Sequence, residues 1–569
     1  MDNKMVNGSW ILLESLYRLG IDTVFGYPGG SVIPIYDEIY KYKKIKHYFS
    51  RHEQGAAHEA DGFARATGKI GVCIATSGPG ATNLVTGIMT AHMDSVPLLA
   101  VTGQVGRSSL GKDSFQESDI VGITLPITKS NYLITDIRDL PRIIKEANYI
   151  ATTGRPGPVL IDIPKDIQIS EIPFNEFEKL FSEEINLPGY DPTYHGHPRQ
   201  IKKAIDLIKT AKKPLIIAGA GILKAGASKS IIEFAEKTNI PVTTTLLGLG
   251  VFPSNHELSL GMLGMHGTVA ANHATEEADL IIAAGIRFDD RITGNPDKFC
   301  KNASIIHIDI DPAEIGKNKK CDIPIVGDLK NVLFEFNRRL DKMDHSDWVN
   351  TVKGWKKEYP MVYGSSNEGR LLPQEVLSEL NKVLAGNAIV ATDVGQHQMW
   401  TAQYISFNNP NSILTSGGSG TMGYGLPAAI GAQIGRPDKK VVAIVGDGGF
   451  QMTFQELMLI KQYNLPVKVV IINNSFLGMV RQWQEIFHEK RYSFVDLSVN
   501  PDFNKIAEGY GINSITIDTK EKLENDLRPA IEGDEAVIIN CIVEKEVNVL
   551  PMIPAGASVS EMVGKRGVI

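Results

Sequence analysis

Residues 440–474, KVVAIVGDGGFQMTFQELMLIKQYNLPVKVVIINN, constrain this chain more than any other stretch. The apolar, β-branched run at 441–445 reads as a buried strand, and it breaks at Gly446-Asp447-Gly448-Gly449. A helical pattern follows over 451–463, then Pro466 and a second apolar run at 467–472 that ends on Asn473-Asn474. Strand, helix and strand in this order form a βαβ unit. Open α/β sheets bind ligands outside the carboxyl ends of their strands, so Asp447 and Asn474 are expected to meet at one edge although 27 positions separate them.

The residue types at that edge point to a chemistry. A carboxylate and a carboxamide are hard oxygen ligands, and Mg²⁺ takes a few such ligands before filling its octahedron with water and phosphate oxygens. The glycines let the backbone approach a bound group, and the start of the following helix favours negative charge. The composite reads as a Mg²⁺-diphosphate anchor. GDGG alone is also an ordinary tight turn. GDG followed after about 25 residues by NN is far more specific, and it resembles the signature of thiamine diphosphate (ThDP) enzymes.

With 569 residues the chain is too long for one core and suggests three or four domains. A net charge of -7, 43% hydrophobic and 22% charged residues are those of an ordinary globular protein, with nothing that calls for nucleic acid or a membrane surface. Cys73, Cys300, Cys321 and Cys541 are scattered without a CxxC pair, which suits a reducing compartment and small core residues. The short apolar run 10–13 reads as part of an amphipathic helix through Leu19 rather than a signal peptide, so the expected location is the cytoplasm.

Residues 1–182 alternate apolar runs with helical patterns, the form of a doubly wound parallel sheet. Within them stand RHEQGAAHEADGFARATG from Arg51 and a strand (72–75) leading into Ser77-Gly78-Pro79-Gly80, then a helix and a strand at 97–101. The SGPG turn can present amides to a ligand or simply start a helix. A further run at 158–163 closes this segment, and 183–198 is polar and rich in Pro, Gly and Tyr, a linker. A second α/β domain spans 198–345, with strands expected at 215–218, 241–245, 279–283 and 305–308. Gly219-Ala220-Gly221 opens like a dinucleotide fingerprint, but Lys224 stands at the third glycine position, so the NAD-type fingerprint fails. A Trp-bearing helix at 346–359 and a loop through Gly369 lead to the last domain, 370–569, which contains strands at 389–392 and 536–543 and ends in an aperiodic tail read as a closing loop. The first and third domains share a strand, Gly-turn, helix, strand plan, which allows a distant duplication.

Glu53, the SGPG turn, GTMGYGLPAAIGA and GDG…NN together make the chain resemble a ThDP-dependent enzyme throughout. FGYPGGSVIPIYD, DSFQESDIVGITLPITKSNYL, GRPGPVLIDIPKDIQ, GMLGMHGT, GIRFDDRITG, HIDIDPAEIGKN, VGQHQMWTAQY and GMVRQW narrow the resemblance to the acetohydroxyacid (acetolactate) synthase large subunits of biosynthetic type, over nearly the whole chain. The resemblance implies three doubly wound α/β domains of the ThDP-dependent decarboxylase and synthase type. The implied reaction decarboxylates pyruvate and transfers the two-carbon unit to pyruvate or 2-ketobutyrate, the first common step of valine, leucine and isoleucine biosynthesis.

The resemblance also implies roles for residues. Glu53 would hydrogen-bond a pyrimidine nitrogen of ThDP and favour the tautomer that takes the proton from the thiazolium; alone it would read as a polar helix start. Met422 matches the bulky residue that holds the cofactor bent, although a Met is usually core filling. Asp447, Asn474 and the Phe476 carbonyl would hold Mg²⁺. Gly78, Gln396, Gly446, Gly448, Gly449 and Met479 take further ThDP-binding positions. Arg291 matches the arginine that pairs with the acceptor carboxylate, against a surface ion pair, and Trp483 the residue that contacts the acceptor's alkyl group, against a core indole. Gln116 matches a polar residue near the donor. Arg155, His266, Gly267, Thr268, Arg287, Asp309 and Asp328 match segments that contact a structural FAD; the two aspartates, at strand ends, could bond a ribose or cap a turn.

Departures from the family pattern are Gly449 where GDGS is usual, Ser419 for an aliphatic residue, and Lys112 and Ser114 for smaller or apolar ones. They bear on fine specificity and inhibitor sensitivity, not on the reaction. The rival readings are a flavin-using pyruvate oxidase, a catabolic FAD-free acetolactate synthase, and a noncatalytic paralogue, which would be expected to lose Glu53 or a metal ligand. The resemblance further implies a homodimer or tetramer and a small regulatory subunit on a separate chain.

Overall fold

Continuous β-branched runs such as Val441–Gly446 and Lys468–Asn473 are apolar on both faces, and only a parallel sheet covered by helices buries both. A computed structural model of the chain, describing residues 4–364, 366 and 369–564, contains three such sheets of six strands. Parts of the loop expected before Gly369 lie outside the described residues. Among those described, no helix is long and apolar enough to cross a membrane.

The first sheet runs, in space, Lys46–Phe49, Thr23–Gly26, Gly71–Ala75, Leu98–Gln104, Pro158–Pro164, Ser130–Leu133. The last runs Ile413–Leu414, Ile389–Thr392, Val441–Gly446, Lys468–Asn473, Val537–Ile542, Asn513–Ile517. Counted along the chain, both have the order 2-1-3-4-6-5, which gives the shared plan a topological basis. The middle sheet runs Ser259–Met262, Val242–Thr244, Pro214–Ala218, Leu280–Ala284, Ser304–Asp309, Ile323–Val326, an order of 3-2-1-4-5-6. That is the dinucleotide-binding order, although the glycine fingerprint is absent.

The chain clusters into two compact units. One comprises the residues up to Asp191 with Ser416–Val441 and Gln451–Val467; the other comprises Pro192–Thr415, Val442–Phe450 and the residues from Lys468 onward. In the first unit, the helix Glu53–Thr67 lies against Gly425–Gly435 with almost no side chain between them. A Cβ on Gly62 would stand 2.1 Å from the Ala428 carbonyl oxygen, and one on Gly431 1.8 Å from that of Glu59. Such contact forces overpacked variants to shift backbone. Gly431→Val is therefore expected to cost about 1–3 kcal/mol, read as a lower melting temperature. Gly354→Ala, where a Cβ meets nothing within 4 Å, should leave the melting temperature unchanged or raise it. Equal melting of Gly431→Val and wild type would refute the close approach.

Candidate active site

In the first unit, the strand Lys46–Phe49 delivers the chain to Glu53, the first residue of the helix Glu53–Thr67, which His52 caps by accepting from the Gln54 amide at 3.1 Å. Glu53 is only 8% exposed, and its Oε2 accepts from Asn83 Nδ2 at 2.9 Å. Asn83 ends the short helix Pro79–Asn83, so the SGPG turn is a helix start, with Gly78 at φ 59° as its cap. A Cβ on Gly78 would meet the Gln116 carbonyl at 2.9 Å, and one on Gly80 would lie 3.1 Å from Glu53 Oε1. The turn thus brings Glu53, Gly78 and the half-buried Gln116 to one edge of the sheet. Half-buried Met422 sits in a loop pinned on both sides. Asp94 accepts from the amides of Gly417 and Gly418 at 2.9 and 2.7 Å, and Thr453 Oγ1 donates to the Gly423 carbonyl at 2.9 Å. Arg155, also in this unit, donates from Nε to Ser95 Oγ at 2.8 Å.

In the second unit, the helix after Val441–Gly446 begins at Asp447 itself, four residues earlier than the expected start at 451. Gly446 ends the strand and Asp447-Gly448-Gly449 open the helix, so the amides of these three lie at its start rather than in a separate turn. Close approach explains two of the glycines: a Cβ on Gly446 would stand 2.9 Å from His397 Nδ1, and one on Gly449 2.3 Å from Asp393 Oδ1. Gly446 pairs with Ile472 of the neighbouring strand, which places Asp447 and Asn474 just beyond adjacent carboxyl ends. Asp447 is 1% exposed and accepts from Asn500 Nδ2 at 2.7 Å. Asn474 donates from Nδ2 to Gln396 Oε1 at 3.1 Å, and its Oδ1 accepts from the Phe476 amide at 3.1 Å. Gln396 in turn donates to Gln482 Oε1 and the Val547 carbonyl. In the helix Gly478–Phe487, Met479 packs on the core, and Trp483 is half-buried beside Phe487 with ring centroids 5.1 Å apart. Arg291 is exposed, with Asp290 as its ion-pair partner at 3.7 Å.

Among the described residues no three His, Cys, Asp or Glu side chains group to hold a metal. The Asp447 edge offers one carboxylate, a carboxamide oxygen with a second lone pair and a main-chain carbonyl, which suits a hard cation that also takes phosphate oxygens. Burial pushes the Asp447 carboxyl up to about 6 although Asn500 donates to it. A divalent cation would offset that desolvated charge, so the donor set fits Mg²⁺.

At the middle sheet, Arg287, Asp309 and Asp328 all follow carboxyl ends of adjacent strands, and His266-Gly267-Thr268 follows the strand Ser259–Met262. Asp309 Oδ1 accepts from the Asp311 amide and Asp328 Oδ1 from that of Lys330, both at 2.9 Å, the turn-capping geometry. Thr268 caps the helix Val269–Glu277. Burial pushes His266 down to about 4, and its Nδ1 has no hydrogen-bond partner among the described residues. Gly219 and Gly221 abut Gly285 where the strand order reverses: a Cβ on Gly221 would lie 2.6 Å from the Gly285 Cα. Glycines packed backbone to backbone at a dinucleotide-type switch point, with a His266 nitrogen that has no partner among the described residues after a strand of the same sheet, are the kind of setting that would take a dinucleotide such as a flavin.

Three family models match the chain. Residues 6–123 match the N-terminal TPP binding domain of thiamine pyrophosphate enzymes, 201–336 the central domain and 393–541 the C-terminal TPP binding domain. The acetolactate synthase large subunit of Lactococcus lactis subsp. lactis is 50% identical over 563 residues, 99% of this chain and 96% of that protein. The chain belongs to the acetolactate synthase family of thiamine pyrophosphate enzymes. The large subunit of Corynebacterium glutamicum is 49% identical, covering 98% of this chain and 90% of that protein, and the acetolactate synthase of Arthrospira platensis 48%, covering 99% and 98%. Within the family's frame, three side chains that sequence reasoning missed now stand out. Asn83 orients Glu53, Asn500 orients Asp447, and His397 lies under Gly446. Burial pushes His397 down to about 3, so it remains a neutral imidazole. Asn83 falls inside the GPGATN segment and was within reach; Asn500, in an irregular stretch, carries no local signal.

Proposed function

We propose that the chain is the catalytic subunit of a biosynthetic acetolactate synthase. It decarboxylates pyruvate and joins the two-carbon unit to a second pyruvate, giving 2-acetolactate, or to 2-ketobutyrate, giving 2-aceto-2-hydroxybutyrate. The observation that carries this reading is the juxtaposition of Asp447 and Asn474 beyond adjacent parallel strands, in a chain half identical to synthases from end to end. When bound, ThDP supplies the electron sink that decarboxylation of a 2-ketoacid requires.

The chain's own residues supply the rest. Asp447, Asn474 and the Phe476 carbonyl hold Mg²⁺; Gly446, Gly448, Gly449, Gln396 and Met479 line the diphosphate end. Glu53, oriented by Asn83, holds a proton at the pyrimidine, Gly78 leaves room beside it, and Met422 supports the cofactor from a pinned loop. Gln116 faces the donor. Arg291 takes the acceptor's carboxylate and Trp483 its alkyl group. Arg155, His266, Gly267, Thr268, Arg287, Asp309 and Asp328 hold FAD in a structural role. The domain limits 1–182, 198–345 and 370–569, a homodimer as the minimum active unit, a separate regulatory subunit and a cytoplasmic location complete the reading.

The test is product analysis with pyruvate, 2-ketobutyrate, ThDP and Mg²⁺, with and without FAD, while oxygen is followed. Mostly 2-aceto-2-hydroxybutyrate, dependent on FAD and with little oxygen uptake, is expected. Acetolactate alone without need of FAD would mean the catabolic enzyme, and stoichiometric oxygen loss an oxidase. Trp483→Leu is expected to reduce the preference for 2-ketobutyrate about tenfold while sparing acetolactate formation, because one apolar contact is worth that order of discrimination. An unchanged product ratio would remove Trp483 from the acceptor site.

A further inference from the structure

The first unit holds two carboxyl groups that the reaction does not consume. Glu59, on the helix Glu53–Thr67, and Glu456, at the end of the 3-10 turn Phe454–Glu456, are both 0% exposed. Each touches the segment that leads into Glu53. Glu59 Oε2 accepts from Ser50 Oγ at 2.6 Å, and Glu456 Oε2 accepts from the Arg51 amide at 2.8 Å. Glu456 reaches that amide through a notch: a Cβ on Gly55 would lie 2.3 Å from Glu456 Oε1. Glu59 Oε1 and Glu456 Oε1 are both buried without a hydrogen-bond partner among the described residues, and the charge of Glu456 acts on Glu59. Two buried carboxyls that each leave one oxygen without a donor repel each other when both are ionised, and one proton on the pair removes that repulsion.

We infer that the buried Glu59–Glu456 pair, joined by one shared proton, is a positioning device that clamps Ser50 and Arg51 and so fixes where Glu53 enters its helix. The inference rests on the proposed role of Glu53 and deepens it. Neither carboxylate is a catalytic residue, since each acts only through the turn it holds. The turn has no slack: Arg51 is also tied by its guanidinium to the Phe49 carbonyl and to Gln462 Oε1, both at 2.7 Å, and the Phe49 amide donates to the Tyr463 hydroxyl at 3.0 Å.

Burial raises both carboxyls above the usual range, and for Glu59 the neighbouring Glu456 adds to it. The other titratable groups facing the pair are the Arg51 guanidinium, which favours its charge, and the Cys73 thiol on Gly71–Ala75, which burial and Glu59 keep protonated. The helix Gly425–Gly435 offers only backbone there and has no titratable side chain. As pH rises and the shared proton leaves, two like charges are forced together in a buried site, and the clamp opens. The turnover number should therefore fall on the alkaline side through this pair.

The experiment compares kcat and KM against pH for wild type, Glu456→Gln and Glu456→Ala, with infrared spectra of the cofactor-free proteins. In Glu456→Gln the amide donates a proton that cannot be lost, so the alkaline limb of kcat should move up by about one pH unit or more. The protonated-carboxyl band of the cofactor-free protein should lose the share of the pair, while the raised carboxyls of Asp447 and Asp162 keep theirs. Glu456→Ala removes the clamp and should lower kcat about tenfold to a hundredfold, the cost of a small misplacement, with KM for pyruvate within about twofold. An alkaline limb of Glu456→Gln that coincides with wild type overturns the inference, even if the variant melts lower. Cofactor-free wild type and Glu456→Gln with the same protonated-carboxyl band overturn it as well, whatever the folding of the Ala variant. Full turnover by Glu53→Gln would instead overturn the reading beneath it.

Discussion

Glu53→Gln is expected to turn over pyruvate about 10²–10⁴-fold more slowly than wild type and to melt at the same temperature. The size follows from what the substitution leaves in place. Glutamine has the shape of glutamate, and its carbonyl oxygen can still accept from Asn83, the bond that fixes the side chain at 2.9 Å. His52 still caps the helix, and the Glu59–Glu456 pair still holds the preceding turn. Only the capacity to hold and release a proton is removed, and general acid–base groups contribute on that scale. Glu53 is nearly buried, so no solvent carboxylate replaces it. The check is kcat with saturating ThDP beside a thermal melt and a direct measurement of ThDP affinity. Wild-type turnover would remove Glu53 from the chemistry. A large loss of melting temperature would mean that the residue serves the fold.

Much of this arrangement was legible because the strands that matter are central. Val441–Gly446 and Lys468–Asn473 have neighbours on both sides, so their sequences are unbroken apolar runs with one reading. The strands that escaped sequence reasoning lie mostly towards the sheet edges. Lys46–Phe49 has the burial pattern of a half-exposed edge and the sequence KHYF, which carries no alternation. Ile413–Leu414 is two residues long, and Ser259–Met262 contains a glycine at positive φ. The helix expected at 451–463 is broken into Asp447–Thr453, a 3-10 turn at Phe454–Glu456 and Leu457–Gln462. Periodicity does not register that break, where Glu456 accepts from the Arg51 amide, far away in sequence.

The site divides along the same line between local and distant causes. Asp447, Asn474 and Gly78 are announced by turns next to strands, whereas Glu53 is marked only by the family resemblance of its segment, because the strand before it carries no pattern. Their orienting partners come from other elements: Gln396 and Asn83 lie in segments that the sequence marks, but Asn500 in an irregular stretch does not. In all three sheets the residues assigned to ligands fall after strands that flank the reversal of strand order or their neighbours, so topology adds what spacing alone leaves open.

Asp447→Ala should weaken Mg²⁺-dependent retention of ThDP by about a hundredfold or more without unfolding the protein. A carboxylate is the only charged ligand in this donor set, and Asn474 and a main-chain carbonyl offer neutral oxygens that cannot replace its attraction for a divalent ion. Stability moves the other way. Burial raises the Asp447 carboxyl to about 6, above the ordinary aspartate range, so the folded protein binds the proton more tightly than the unfolded chain does. Stability from this group therefore falls as pH rises from about 4 to about 6, and above that window the ionised side chain is a full cost to the cofactor-free fold. Removing it relieves that cost, while Asn500 loses one acceptor in a partly exposed position. In chelator at pH 8 the variant should melt no lower than wild type treated alike. With Mg²⁺ and ThDP added, wild type should rise in melting temperature, as binding to the folded state requires, and the variant should not. An equal rise in both would show that the cation is held elsewhere. A variant already unfolded in chelator would show that Asp447 belongs to the fold before it belongs to the anchor.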